Sequence, residues 1–160
     1  MEFLNTDLEW DDFYWTGSFG GPLFDSIPSD HIRLQVGARD EEEVPPHGLQ
    51  IRAWEALLEK SRDYSELILS GLFSHYTRIR PKYLQAGGDW AENMPVLAKS
   101  DEIAGLIRLR VVDIAWPHDG TVEVGLSFAC NWDPEHGAGI VLRGLSIVDV
   151  GGADCLYASR

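Results

Sequence analysis

Cys130-Asn131-Trp132-Asp133-Pro134-Glu135-His136-Gly137-Ala138-Gly139 is the stretch whose reading decides the fold. Ahead of its turn, apolar residues fall on alternate positions at Val122, Val124, Leu126, Phe128, Cys130 and Trp132; beyond it, Ile140 and Leu142 resume the same parity. A two-residue period marks a half-buried β-strand, because successive strand side chains point to opposite faces. Asp133–Gly137 reads as the reversal between two such strands. An Asp side chain bonds nearby backbone, Pro presets φ, and Gly tolerates positive φ. The pattern predicts positive φ at Gly137 and a local hydrogen bond holding His136. The rest of the chain reads as cover for one face of this hairpin.

Working outward, Ala138–Leu142 is followed by a tight reversal at Arg143-Gly144, a strand over Leu145–Val150 and a closing Gly151–Asp154 segment. Upstream, His118-Asp119-Gly120 is a hairpin turn. Before it the inward parity changes from Ile107, Leu109 and Val111 to Val112, Ile114 and Trp116, which predicts a β-bulge. Phe13–Phe19 is rich in β-formers and ends at Gly20-Gly21-Pro22. His31–Val36 alternates with Ile32, Leu34 and Val36 inward, and is expected to neighbour that first strand. Between these β regions lie two helices. Pro45-Pro46 is expected to open the first, with the acidic Asp40–Glu43 run complementing its N-terminus and a stripe of Ile51, Trp54 and Leu58 widened by Ala53 and Leu57. Asp63 with Glu66 resembles a capping box for the second. Its expected stripe is Tyr64, Leu67, Ile68, Gly71, Leu72, His75 and Ile79, with Gly71 marking a close approach and Pro81 the stop. Lys82–Pro95 reads as a surface connection, and Ser100-Asp101-Glu102 as the cap of a short helical turn. The expected architecture is α+β: one predominantly antiparallel sheet with the two central helices packed together on one face. A single domain is expected over 1–160, with strands near 13–37, helices near 46–80 and a β-meander near 105–151.

The 160 residues are 44% hydrophobic and 11% aromatic, a globular composition with enough chain for one core. There is no apolar run long enough to span a membrane, and Met1–Asp7 lacks the basic and apolar regions of a secretion signal. Cys130 and Cys155 are expected as free thiols of a cytoplasmic protein. A formal net charge of −13 argues against nucleic acid and anionic membranes as partners, since both demand Lys and Arg. It is compatible with a basic protein partner, and also with a simple role in solubility.

Certain residues also carry a resemblance: Trp15-x-Gly17; Pro45, Pro46 and Gln50 ahead of Leu57-Leu58; Tyr76 near the end of the second helix; Asp119-Gly120; Gly125-Leu126-x-Phe128-x-Cys130-x-Trp132-Asp133-x-Glu135-His136-Gly137-x-Gly139; Val148-x-x-Gly151; and Ala153-Asp154. Together they resemble a bacterial family of small α+β domains of unknown function with a Trp-Asp-x-Glu-His-Gly signature. Here Gly151-Gly152 precedes Ala153-Asp154, a one-residue shift in the last piece. Association of that family with toxin–immunity loci implies an immunity protein and brings no enzymatic activity.

Two readings of Asp133, Glu135 and His136 stand side by side. They offer carboxylates and an imidazole for acid–base work or metal ligation, as in a hydrolase or metal-binding enzyme. Alternatively the signature set Trp132, Asp133, Glu135, His136 and Gly137 is structural: Asp133 holds the turn, Glu135 is solvated and His136 bonds a backbone carbonyl. The turn accounts for the pattern unaided. His31, His47, His75 and His118 stand singly, no Cys-x-x-Cys or nucleophile elbow is present, and no cofactor motif occurs. No catalytic, cofactor or metal residue is therefore expected. The expected function is an immunity protein that neutralises a cognate, basic toxin domain without catalysis; a non-catalytic scaffold or ligand-binding module is the other alternative. Its candidate contact residues are Asp40, Glu41, Glu42 and Glu43, with Trp10, Asp11, Asp12 and Tyr14, beside Asp7 and Glu9. Trp10 and Tyr14 are the candidate exposed aromatic anchors.

Overall fold

The computed structural model of the chain describes residues 2–3 and 6–158; Met1, Leu4, Asn5, Ser159 and Arg160 of the expected span lie outside the described residues. Strand β1 (Glu2–Phe3) pairs with β2 (Thr6–Asp7) as a small separate sheet. The main sheet has seven strands in chain order: β3 (Glu9–Trp10), β4 (Tyr14–Gly20), β5 (His31–Gly37), β6 (Ile107–Ile114), β7 (Val124–Cys130), β8 (Ala138–Arg143) and β9 (Ser146–Gly151). Every neighbouring pair is antiparallel except β5 and β6. That one parallel pair demands a long crossover, and the chain supplies it with α1 (Gly48–Glu59), α2 (Ser61–Gln85) and the short α3 (Trp90–Asn93). The fold is α+β on a mixed, mostly antiparallel sheet.

The alternating positions form the core. Ile32, Leu34, Val36, Val112, Ile114, Leu126, Phe128, Ile140 and Leu142 are all buried in one cluster, which α1 and α2 complete with Trp54, Leu57, Ile68, Leu72 and Tyr76. Edge-on ring pairs fasten the assembly, among them Phe19 to Trp54, Tyr76 to Trp132, and Tyr83 to Trp90. Gly71 lies where a Cβ would come within 2.5 Å of Ile147 and 3.1 Å of Ile140, so its missing side chain lets α2 settle against β8 and β9. The expected bulge is present: the β6–β7 register slips between Leu109 and Val111. A second slip lets β9 accommodate Val148. At His118–Thr121, Asp119 and Gly120 both have positive φ, the geometry of a type I′ hairpin turn.

Helix boundaries depart from the sequence reading. The first helix begins at Gly48 rather than Pro45-Pro46, and no acidic residue occupies its first turn. A field confined to the exposed N–H groups of the first turn therefore does not explain the Asp40–Glu43 run. Leu58 is 46% exposed, because the buried row is Gln50, Trp54 and Leu57. Asp63 caps nothing: Lys60 alone separates the helices, and α2 starts at Ser61. Pro81 does not stop α2, although proline removes a donor and crowds the preceding turn. The turn beyond it is held laterally, with the Arg80 guanidinium donating to the Met94 carbonyl at 2.6 Å and Tyr83 packed on Trp90. Lys82–Pro95 is accordingly more than a surface connection; Met94 is fully buried and the Tyr76 hydroxyl donates to the Pro95 carbonyl at 2.6 Å.

On the second face of the sheet, the Ala153–Tyr157 segment covers part of β7 and β8. Gly125 and Gly139 leave a hollow on β7 and β8, and Leu156 of the Ala153–Tyr157 helical turn fills it beside Cys155 and Val141. Cys130 and Cys155 are both buried and free.

Gln50 is the buried polar joint. Its carbonyl accepts the His47 backbone N–H at 2.8 Å, while its amide nitrogen lies 2.9, 3.2 and 3.1 Å from the carbonyls of Gly37, Ile114 and Ala115. The His47 ring accepts the Leu49 N–H at 3.0 Å, so these two side chains cap α1. Gln50→Leu is expected to cost about 1–3 kcal/mol by stranding buried carbonyls, read as a lower urea midpoint with unchanged slope.

Candidate functional site

The signature turn is organised by Asp133. Its Oδ1 accepts the His136 backbone N–H at 3.1 Å and lies 3.0 Å from His136 Nδ1; its backbone carbonyl accepts the Gly137 N–H at 2.8 Å. Gly137 has φ of 70°, as the turn chemistry predicts, and a Cβ there would run into the Phe128 carbonyl. His136 is held locally as expected, by the Asp133 carboxylate and not by a backbone carbonyl. Trp132 is buried against Tyr76 and anchors the start of the turn to α2. The Cys130 thiol approaches the Asp133 carbonyl at 3.6 Å; burial pushes its pKa up to about 11, so it stays protonated at neutral pH.

Asp133 and His136 open onto a cleft of about 400 Å³ that also takes His75, Ile79 and Tyr83 from α2 and Asp154 from the C-terminal turn. Glu135 is exposed and contributes no lining. The hydrogen bond and charge of Asp133, with smaller pushes from Glu135 and Asp154, hold the His136 imidazole above its usual pKa. Burial, and Arg78 at 3.2 Å, hold His75 below the usual value against a weaker opposite pull from Asp149. Burial raises the Tyr83 hydroxyl, and the charge of Asp133 raises it further. Among the described residues, no group of three His, Cys, Asp or Glu side chains is placed to hold a metal ion. Neither Tyr83 nor Asp154 is a candidate site residue on the sequence reading, which takes Asp154 only as part of the closing segment. His75, Ile79 and Tyr83 form an i, i+4, i+8 row, but the row crosses Pro81, where a helix was expected to end.

The acidic candidates lie at the other end of the sheet. Tyr14 pairs with Gly37, so the Asp11–Phe13 turn and the Ala38–Glu43 segment leave β4 and β5 together. The Trp15 indole donates to the Val44 carbonyl at 2.7 Å and packs on Trp10, linking the two segments directly. β5 and β6 run parallel and β6 pairs Ile107 with Cys130, which puts the signature turn at the opposite end. Trp10 and Tyr14 are half-buried against the fold and are not the exposed aromatics; Phe13, between Asp12 and Tyr14, is 54% exposed. Asp11 accepts the Phe13 and Tyr14 N–H groups at 3.2 and 2.8 Å, which turns the chain there.

A mixed-sheet α+β domain in which Asp133 and His136 meet on the β7–β8 turn is the class this architecture defines. Residues 4–157 match the model of a domain of unknown function (DUF6985), and the chain belongs to that family. No curated protein and no solved structure matches it. Among the described residues, no helix is long and apolar enough to cross a membrane.

Gly137→Val is expected to destabilise the domain by about 1–3 kcal/mol, because positive φ and the Phe128 carbonyl both oppose a β-branched side chain; thermal denaturation checks this. In an NMR titration, His136 is expected to lose its proton at higher pH than His75, with Asp133→Asn lowering the His136 midpoint. Because the folded-state pKa of His136 is raised, its contribution to stability is fully present below the ordinary histidine value and fades as pH rises through the folded one.

Proposed function

We propose that this domain is an immunity protein, which binds a cognate basic toxin domain in the cytoplasm and neutralises it without catalysis. The observation that supports the reading is the convergence of two acidic segments, distant in sequence, at one end of the sheet. There Glu9, Asp11, Asp12 and Asp40–Glu43 set seven carboxylates against the guanidiniums of Arg33, 3.5 Å from Asp11, and Arg39, 3.4 Å from Asp40. The helix that follows takes its cap from His47 and Gln50, so the Asp40–Glu43 run is not needed for that local task. Asp12, Asp40 and Glu41 hold φ of 74°, 52° and 59°. Asp visits the left-handed region readily, but a residue such as Glu41 is held there at a cost of roughly 1–2 kcal/mol, and such outliers gather where function has over-determined the chain.

A surface of this kind meets the positive face that a nucleic-acid-attacking toxin needs for phosphates, and its field steers association. Phe13 supplies an apolar anchor inside the charged rim, the arrangement in which one aromatic carries much of the binding energy. The resemblance to a family found beside toxin genes points the same way.

The test begins with co-purification of the domain and the product of the adjacent gene. Neutralising Asp40, Glu41, Glu42 and Glu43 together to Asn and Gln is expected to slow association about tenfold at low salt and to flatten its salt dependence. Phe13→Ala is expected to quicken dissociation. Unchanged kinetics in both variants, with the complex still forming, would place the docking face elsewhere.

A further inference from the structure

The cleft beneath the signature turn lies at the opposite end of the sheet from the acidic face, and the immunity reading gives it no task. We infer that it is a binding site for a protonated amine or guanidinium carried on a short apolar stem. Three separate elements converge on it. Asp133 comes from the β7–β8 turn, Asp154 from the C-terminal helical turn, and Ile79 and Tyr83 from one face of α2. Carboxylates from two separate elements therefore share one cleft with the apolar and aromatic side chains of α2. The carboxylates suit an ammonium or guanidinium head, and Ile79 and the Tyr83 ring suit its stem.

The charge balance selects this ligand class. Asp133 and Asp154 bring two negative charges to the lining, and His136 offsets at most one of them when protonated. His75 is disfavoured as a cation by its burial and by Arg78. The cleft is thus net negative in either state of His136, which rejects an anion. Asp133 also has room for another donor. A carboxylate offers about four acceptor positions, while His136 takes two of them. A divalent metal is the poorer occupant, since the described residues present no three-ligand cluster.

The same head group is available from a free amine or from a lysine or arginine side chain of another protein, and three probes divide these sources by head group. Pentylamine stands for an alkylammonium, N-acetyl-arginine amide for an arginine side chain, and pentan-1-ol for the stem without charge. Each is titrated into the intact domain while the His136, His75 and Tyr83 ring resonances are followed by NMR. Either charged probe is expected to shift them saturably, and pentan-1-ol is not. A response to pentylamine alone identifies an alkylammonium, free or on a lysine side chain, and one to the arginine analogue alone identifies an arginine side chain. Asp154 is exposed, so Asp154→Asn is expected to keep the fold and weaken binding about fivefold or more. Ile79→Lys, which places an ammonium in the cleft, is expected to abolish it. No saturable shift with either charged probe, equal shifts with pentan-1-ol, or undiminished binding to a folded Asp154→Asn variant would overturn the inference. None of these titrations involves a toxin, so the result stands or falls apart from the immunity reading.

Discussion

The fold depends on how the ends of two parallel strands are closed, and Gln50 closes them. Parallel neighbours cannot be joined by a tight turn, so the chain must leave β5, cross the sheet and return as β6. Where β5 and β6 end, the carbonyls of Gly37, Ile114 and Ala115 converge on one side chain inside the protein. The Gln50 amide reaches all three while its oxygen caps α1 through His47. One side chain thereby fixes where the crossover begins, which way α1 points, and which face of α1 meets the sheet. Trp54 and Leu57 follow on that face, and α2 continues after a single intervening residue to bring Gly71 against Ile140 and Ile147.

That arrangement also separates the molecule's two chemically distinctive regions. The acidic segments leave the sheet where β5 and β6 end, while the signature turn reverses the chain where β6 begins and β7 ends. The two ends differ in kind. The acidic end is open, with carboxylates mostly exposed and backbone in left-handed conformations. The signature end is concave and held by specific bonds: Asp133 orders His136 and Gly137, Trp132 packs on Tyr76, and α2 supplies the facing wall. An extended charged surface suits a macromolecular partner through long-range steering, whereas a small cleft with a few convergent polar groups suits a compact group.

Much of this was legible in the residues themselves. Two-residue alternation identified the strands and their inward faces, the parity change located the bulge in β6, and the Asp-Pro-x-x-Gly pattern required positive φ at Gly137. Each is a local signal, set by the geometry of a few consecutive residues. Helix ends were less legible because local rules compete there with packing. Asp63 and Glu66 have the spacing of a cap, yet the helix already runs from Ser61; Pro81 has the chemistry of a stop, yet Arg80, Tyr83, Met94 and Trp90 hold the turn beyond it.

The sequence by itself determined the turn at Asp133–Gly137, the alternating core of the sheet and the strongly acidic balance, because these follow from residue type and short-range spacing. Only the tertiary structure decided which distant residues meet: Asp154 and Tyr83 beside Asp133, Leu156 over Gly125 and Gly139, and Asp11 beside the segment that carries Asp40–Glu43. Those meetings depend on strand order, on the single parallel pairing and on the length of α2, which arise from burying many apolar side chains at once.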